Sequence, residues 1–308
     1  MAELPASEKV NRSESLDVAA RVAQDERLIN TPLTLRLLRR PELGAIAGLV
    51  VVTLFFLFTA NPVMFTVAGI MNILVPAAQL GIVAIGASLL MIGGEFDLSV
   101  GSMIAFSGFV FGTALSVMHF PLPLAILATF LVAAVIGIIN AQITLRTELP
   151  SFIVTLAFLF ILRGLSLVGL KWATGGATQL RGLRDAAGDG GLTPYFSGFA
   201  FQDLFAWLAN NGLIDKFDTG TPKVVGVPVS ILWFIALAVL ATVVLLRTRF
   251  GNWIFASGGD AQAARYVGVP VDRVKILMFM FSAFCATVFA TCQVMEFGSA
   301  AADRGLLK

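Results

Sequence analysis

Gly93-Gly94-Glu95-Phe96-Asp97-Leu98-Ser99-Val100-Gly101 holds the only two carboxylates between residues 43 and 145, in an otherwise apolar stretch. Carboxylates set into sequence of hydrocarbon character are costly, and the glycines around them favour a broken backbone over a continuous helix. The flanks decide the fold. Residues 68–92 lead into the glycines and residues 102–118 lead away from them, each apolar and each close to the ~20 residues that a helix needs to cross a bilayer.

Five further runs share this character: residues 43–60, ended by Asn61-Pro62, then 124–143, 152–170, 229–246 and 276–295. Pro76 predicts a kink in the second of the seven runs, and His119-Phe120-Pro121-Leu122-Pro123 predicts a tight turn between the third and fourth. With 57% hydrophobic residues, 13% charged and a mean hydropathy of +0.89, the chain reads as an all-α polytopic membrane protein of about seven spans. Small residues spaced four apart (Gly44 and Gly48, Gly108 and Gly112, then Ala133, Gly137 and Ala141) predict close helix packing in lipid.

Charge sets the orientation. Arg36, Arg39 and Arg40, then Arg146, then Arg247, Arg249, Arg265, Arg273 and Lys275 fall on one side if the amino terminus is inside, as the positive-inside rule requires. Residues 1–42 balance seven acids against seven bases and lack the apolar core of a signal peptide, so they read as a cytoplasmic tail. The outer segment 171–228 balances five bases against five aspartates. It admits two readings: a surface loop with an interfacial helix around Trp207 (residues 199–214), and a docking platform for an extracytoplasmic partner.

A net charge of +2 without a basic stripe excludes nucleic-acid binding. Cys285 and Cys292 lie two helical turns apart, roughly 10 Å, which is too far to bridge, and read as core packing. No phosphate loop and no His-Glu-x-x-His motif occur, and the one histidine, His119, falls in the predicted turn, so neither enzymatic chemistry nor a metal site is expected. Asp97 or Ser99 could cap the third span, which is compatible with a place at a substrate path, because broken helices are where transporters set polar contacts. In the loop 247–275, Asp260 after two glycines predicts an N-cap, with Gly268 and Pro270 ending about two helical turns. This reads as an ordinary loop or as a lever for a soluble motor.

Gly94 to Gly101 resembles the Gly-x-x-Asp-Leu-Ser-Val-Gly signature of ribose and xylose type permeases, the membrane subunits of bacterial ATP-binding-cassette monosaccharide importers. Leu149-Pro150-Ser151-Phe152-Ile153-Val154-Thr155-Leu156 with Ile161-Leu162-Arg163-Gly164, and residues 251–275, are similar to other stretches of that family. Phe96 departs from its usual isoleucine, and the family varies at Glu95.

The resemblance implies a permease domain at 43–298 in the bacterial inner membrane, with no cofactor of its own and with ATP bound and hydrolysed by separate cytoplasmic subunits. It also implies a periplasmic sugar-binding protein and a second permease copy, identical or not. Gly94, Glu95, Asp97, Leu98, Ser99 and Gly101 become the signature and translocation-path candidates; Asp260, Ala263, Ala264, Arg265 and Gly268 become the contacts with the ATPase in the coupling loop 247–275. Because such permeases continue for two or three more helices, residues 299–308 are expected to be a truncated tail. The competing class is an ion-coupled transporter using Glu95, Asp97 and Arg163 as buried ionisable groups.

Overall fold

The computed structural model describes residues 42–188 and 190–303. The amino-terminal tail with Arg36, Arg39 and Arg40, Asp189, and residues 304–308 of the expected truncated tail lie outside the described residues. All seven apolar runs are helical: α1 (Glu42–Thr59), α2 (Val67–Ile92), α3 (Val100–Ser116), α4 (Leu122–Thr147), α5 (Ser151–Thr174), then α9 (Val229–Arg247) and α12 (Val271–Phe297). Five of these are long and apolar enough to span a membrane, and Leu43–Thr59 and Val100–Ser116 are shorter apolar helices. The α1 helix belongs to a separate unit of the chain and is described only by itself.

Pro76 lies inside α2, and His119 occupies the α3–α4 turn with φ +54°. The α12 helix forms the axis of the bundle. It packs against α2, α3 and α4, and 67% of its most apolar window is buried, against 17–33% in the other four long helices.

Small side chains make this packing possible. Ser282, Ala283, Cys285, Ala286, Thr287, Ala290, Thr291 and Cys292 are all buried, so neighbouring backbones approach closely. Both cysteines are free and buried, as their core-packing reading expects. A Cβ at Gly137 of α4 would come within 2.9 Å of the Met280 Cα and the Phe279 carbonyl oxygen. At Gly86 of α2 it would lie 3.1 Å from the Ser282 Cα. Between α3 and α12, Ser107 and Thr287 share a 3.0 Å hydrogen bond, while Thr287 also donates to the Ala283 carbonyl. On the flanks, α5 packs on α3 and α4, and α9 on α2.

The segment between α5 and α9 is built rather than open. β1 (Gln179–Arg181) is followed by α6 (Leu183–Ala187), α7 (Pro194–Ser197), β2 (Phe199–Ala200) and α8 (Gln202–Asn210), with β3 (Val227–Pro228) pairing antiparallel to β2. β4 (Ser299–Ala301), after α12, pairs antiparallel with β1, Leu180 opposite Ala300. The helix expected around Trp207 is present as α8, shorter than the 199–214 of the sequence reading; it buries Phe205 and Ala209 and exposes Trp207.

The loop 247–275 needs the larger correction. It holds α10 (Arg249–Gly259) and α11 (Ala261–Tyr266), and α12 starts at Val271 rather than at residue 276. Asp272, Arg273 and Lys275 therefore belong to the first turns of a span.

Gly137→Ala should overpack the α4–α12 contact and cost about 1–3 kcal/mol. Gly164→Ala, where a Cβ meets nothing within 4 Å, should be neutral or stabilising, since alanine is the better helix former. Thermal unfolding of the detergent-solubilised protein compares the two; equal midpoints would refute the packing account.

Candidate functional site

The junction between α2 and α3 is broken by glycine geometry. Gly94 adopts φ +84°, a left-handed conformation open to glycine at little cost, and the Gly93, Gly94 and Glu95 amides donate back to Leu89, Met91 and Leu90 carbonyls. Residues 95–97 carry no regular structure, Leu98 and Ser99 form a turn, and α3 begins at Val100.

Asp97 organises this segment. Its Oδ1 accepts the Ser99 amide at 2.9 Å and the Ser99 hydroxyl at 2.5 Å, and its Oδ2 accepts the Ser282 hydroxyl of α12 at 2.9 Å. Asn140 of α4 donates through Nδ2 to Ser99 Oγ at 3.2 Å. From α5, Ser151 Oγ accepts the Phe96 amide at 2.9 Å and Thr155 Oγ1 accepts the Leu98 amide at 3.0 Å. Residues 93–99 thus hold three helices: the first three amides bond back to α2 carbonyls, and side chains of Ser151, Thr155 and Asp97 take the Phe96, Leu98 and Ser99 amides.

The capping expectation takes a modified form. Ser99 stands at the N-cap of α3 but makes no side-chain cap bond, because its hydroxyl is spent on Asp97. The carboxylate at the helix start still favours the helix dipole.

Glu95 pairs with Lys275 of α12, on the same face of that helix as the Ser282 that holds Asp97. Their side chains are only 9% and 15% exposed, so this is a buried ion pair, the kind whose rupture by removal of one partner costs about 3–5 kcal/mol. The sequence reading placed Lys275 in a loop and missed the pair.

Next to it, α10 ends against the junction. A Cβ at Gly258 would overlap the Ile92 carbonyl oxygen, and one at Gly94 would lie 3.3 Å from the Gly258 Cα. Asp260 caps α11 as expected, accepting the Gln262 and Ala263 amides at 2.9 Å each. Arg265 donates to Asp272 at 2.5 Å, an exposed pair of the kind worth at most ~1 kcal/mol.

Exposure divides the residues expected to touch an ATPase. Ala263, Arg265 and Gly268 are exposed, the last at φ +87°. Ala264 is 4% exposed, so its methyl packs inward and cannot form an external contact. The residues overlooked there are Tyr266 and Val267, 88% and 80% exposed at the tip of α11. Of the signature residues, Glu95 and Ser99 are buried, Leu98 is exposed at 43%, and Gly101 sits in the first turn of α3.

Further polar side chains lie within the spans, away from the junction. Arg163 of α5 stands about 16–18 Å from either end of its helix, half-buried and without an ion-pair partner among the described residues. Gln79 of α2 donates to Glu296 of α12 at 2.8 Å. No cluster of three or more metal-ligating side chains occurs among the described residues.

Asp97→Ala removes the acceptor for two hydroxyls and one amide, each loss worth about 1–3 kcal/mol in a buried site. The unfolding midpoint should fall by at least several degrees, with Asp97→Asn intermediate because it keeps an acceptor oxygen. A midpoint unchanged in Asp97→Ala would refute the organising role.

Residues 69–306 match the family model described as branched-chain amino acid transport system / permease component, which covers the junction, the α10–α11 loop and α12. The autoinducer 2 import system permease protein of Photorhabdus laumondii is 29% identical over 265 residues, spanning 85% of this chain and 70% of that protein. The ribose import permease protein of Escherichia coli K12 is 29% identical over 247 residues, or 80% and 67%. The autoinducer 2 import system permease protein of Salmonella typhi is 26% identical over 226 residues, or 73% and 59%. No solved structure matches the chain. A helical bundle of spanning length, matched to one family over most of its residues, makes the chain a transport permease rather than an enzyme, a multi-pass membrane protein that belongs to the branched-chain amino acid transport system / permease component family.

Proposed function

We propose that the chain is the membrane-spanning permease subunit of an ATP-driven importer, carrying a monosaccharide or similar small polar solute across the bacterial inner membrane. The observation that carries this reading is the family match over residues 69–306, joined by relatives named for the import of ribose and of autoinducer 2. ATP is bound and hydrolysed by separate cytoplasmic subunits, an extracytoplasmic binding protein delivers the solute, and a second permease copy completes the pathway. The chain itself needs no cofactor.

The clustering of arginines and lysines supports an amino terminus inside, which puts the α2–α3 junction and the α10–α11 loop at the cytoplasmic end. There α11 projects Tyr266 and Val267 beside Ala263, Arg265 and Gly268, a small apolar knob with one cation, suited to a pocket on the ATPase rimmed by acid. Closure of the ATPase pair displaces α11 and shifts the bundle between outward and inward access.

Arg163, like Glu95 and Asp97, stands on the side of an ion-coupled transporter, because a cation at mid-span is costly unless it is used. Energy dependence separates the two classes. Uptake by cells carrying the full set of subunits should stop on ATP depletion and persist, for as long as ATP is held, with an uncoupler; the reverse pattern would replace the ATP-driven reading. Arg265→Glu should lower uptake at least tenfold while insertion into the membrane stays normal. Unchanged uptake in Arg265→Glu would overturn the assignment of α11.

A further inference from the structure

We infer that the Gly94–Gly258 contact and the Glu95–Lys275 ion pair together form the joint that carries displacement of α11 into the membrane-embedded junction, which makes Glu95 and Lys275 positioning residues of translocation. The inference rests on the permease reading and adds to it a route through named atoms.

The loop reaches the junction by two arms. The first is steric: in the last turn of α10 the missing Cβ of Gly258 lets the backbone rest against the Ile92 carbonyl and the Gly94 backbone. With no side chain between the two main chains, nothing at this contact can yield by changing rotamer, so movement of α10 is passed on undamped. The second arm is ionic. Arg265 ties α11 to Asp272 in the first turn of α12, and one turn further along Lys275 reaches Glu95. Glu95 is 7% exposed, so the pair acts in a low-dielectric surrounding where attraction between opposite charges is strong and not screened by salt.

Both arms end on consecutive residues, Gly94 and Glu95. Two residues later Asp97 holds Ser282 of α12 and, through Ser99, Asn140 of α4, while the Phe96 and Leu98 amides hold α5. A push delivered at residues 94–95 is therefore distributed to three helices at once.

The experiment compares the assembled transporter, permease with its ATPase subunits and binding protein, in proteoliposomes, reading solute taken up per ATP hydrolysed. Glu95→Gln and Lys275→Met should each lower that ratio at least tenfold, and the exchange Glu95→Lys with Lys275→Glu should recover at least a third of it. A ratio unchanged in either single variant, or an exchange as poor as the singles, overturns the joint. If a single variant fails to assemble, the exchange decides alone: an assembled exchange variant with a recovered ratio supports the joint, and one without it overturns the joint. Failure of the permease reading looks different, because the unaltered complex would then hydrolyse ATP without moving ribose or any related sugar.

Discussion

The whole junction depends on one carboxyl group, Asp97, that has no ion-pair partner among the described residues. Asp97 sits where the α2 and α3 helices part, and an isolated charge there would be prohibitive without donors. It is tolerable because two hydroxyls and an amide converge on it, and these donors come from different parts of the chain, Ser99 beside it and Ser282 in α12. Satisfying the charge and fastening the helices are the same act. Were the residue apolar, the turn could still form, but nothing would hold the Ser282 hydroxyl of α12 against it. The buried amide of Asn140 extends the same network to α4, at the cost of leaving its Oδ1 without a partner among the described residues.

Much of this architecture is legible in the sequence because lipid imposes simple rules. Every span appears as an apolar run, and every break shows as glycine, proline or charge, since backbone at membrane depth must be helical or satisfied by other groups. Glycine at 94, the cap at Asp260 and the stop at Gly268 are local statements, so a single sequence carries them. The pairings are not local. Glu95 and Lys275 lie 180 positions apart, Asp97 and Ser282 lie 185, and nothing in either neighbourhood names the other. Hydropathy also misplaces the start of α12, because a helix can begin with Asp272, Arg273 and Lys275 while a window average ends at the charge. Asn140 and Gln79 are hidden for a related reason: one amide among twenty apolar residues leaves the pattern unchanged. Ala264 misled in the opposite sense, since a small residue suits a close contact on either face of α11 and its composition does not say which.

The two ends of the bundle use different materials. At the junction end, ions and hydrogen bonds join the elements across short irregular stretches. At the other end, a two-stranded ladder closes β1 on β4, and the small α8 subassembly buries Phe205, Ala209, Ile214 and Val224 in a hydrophobic cluster of its own. Directional bonds, those of the β1–β4 ladder included, give one register, whereas apolar contact such as that beneath α8 tolerates sliding.

The central position of α12 restricts how the molecule can move. It packs against α2, α3 and α4 along small residues, with backbones near enough that a single methyl on Gly137 collides. A helix so enclosed has no independent degree of freedom: it cannot tilt or rotate without carrying its three neighbours, and together they form one rigid block. The compliant parts are the helices at its margins, α5 beside α3 and α4 and α9 beside α2, with fewer surfaces to release.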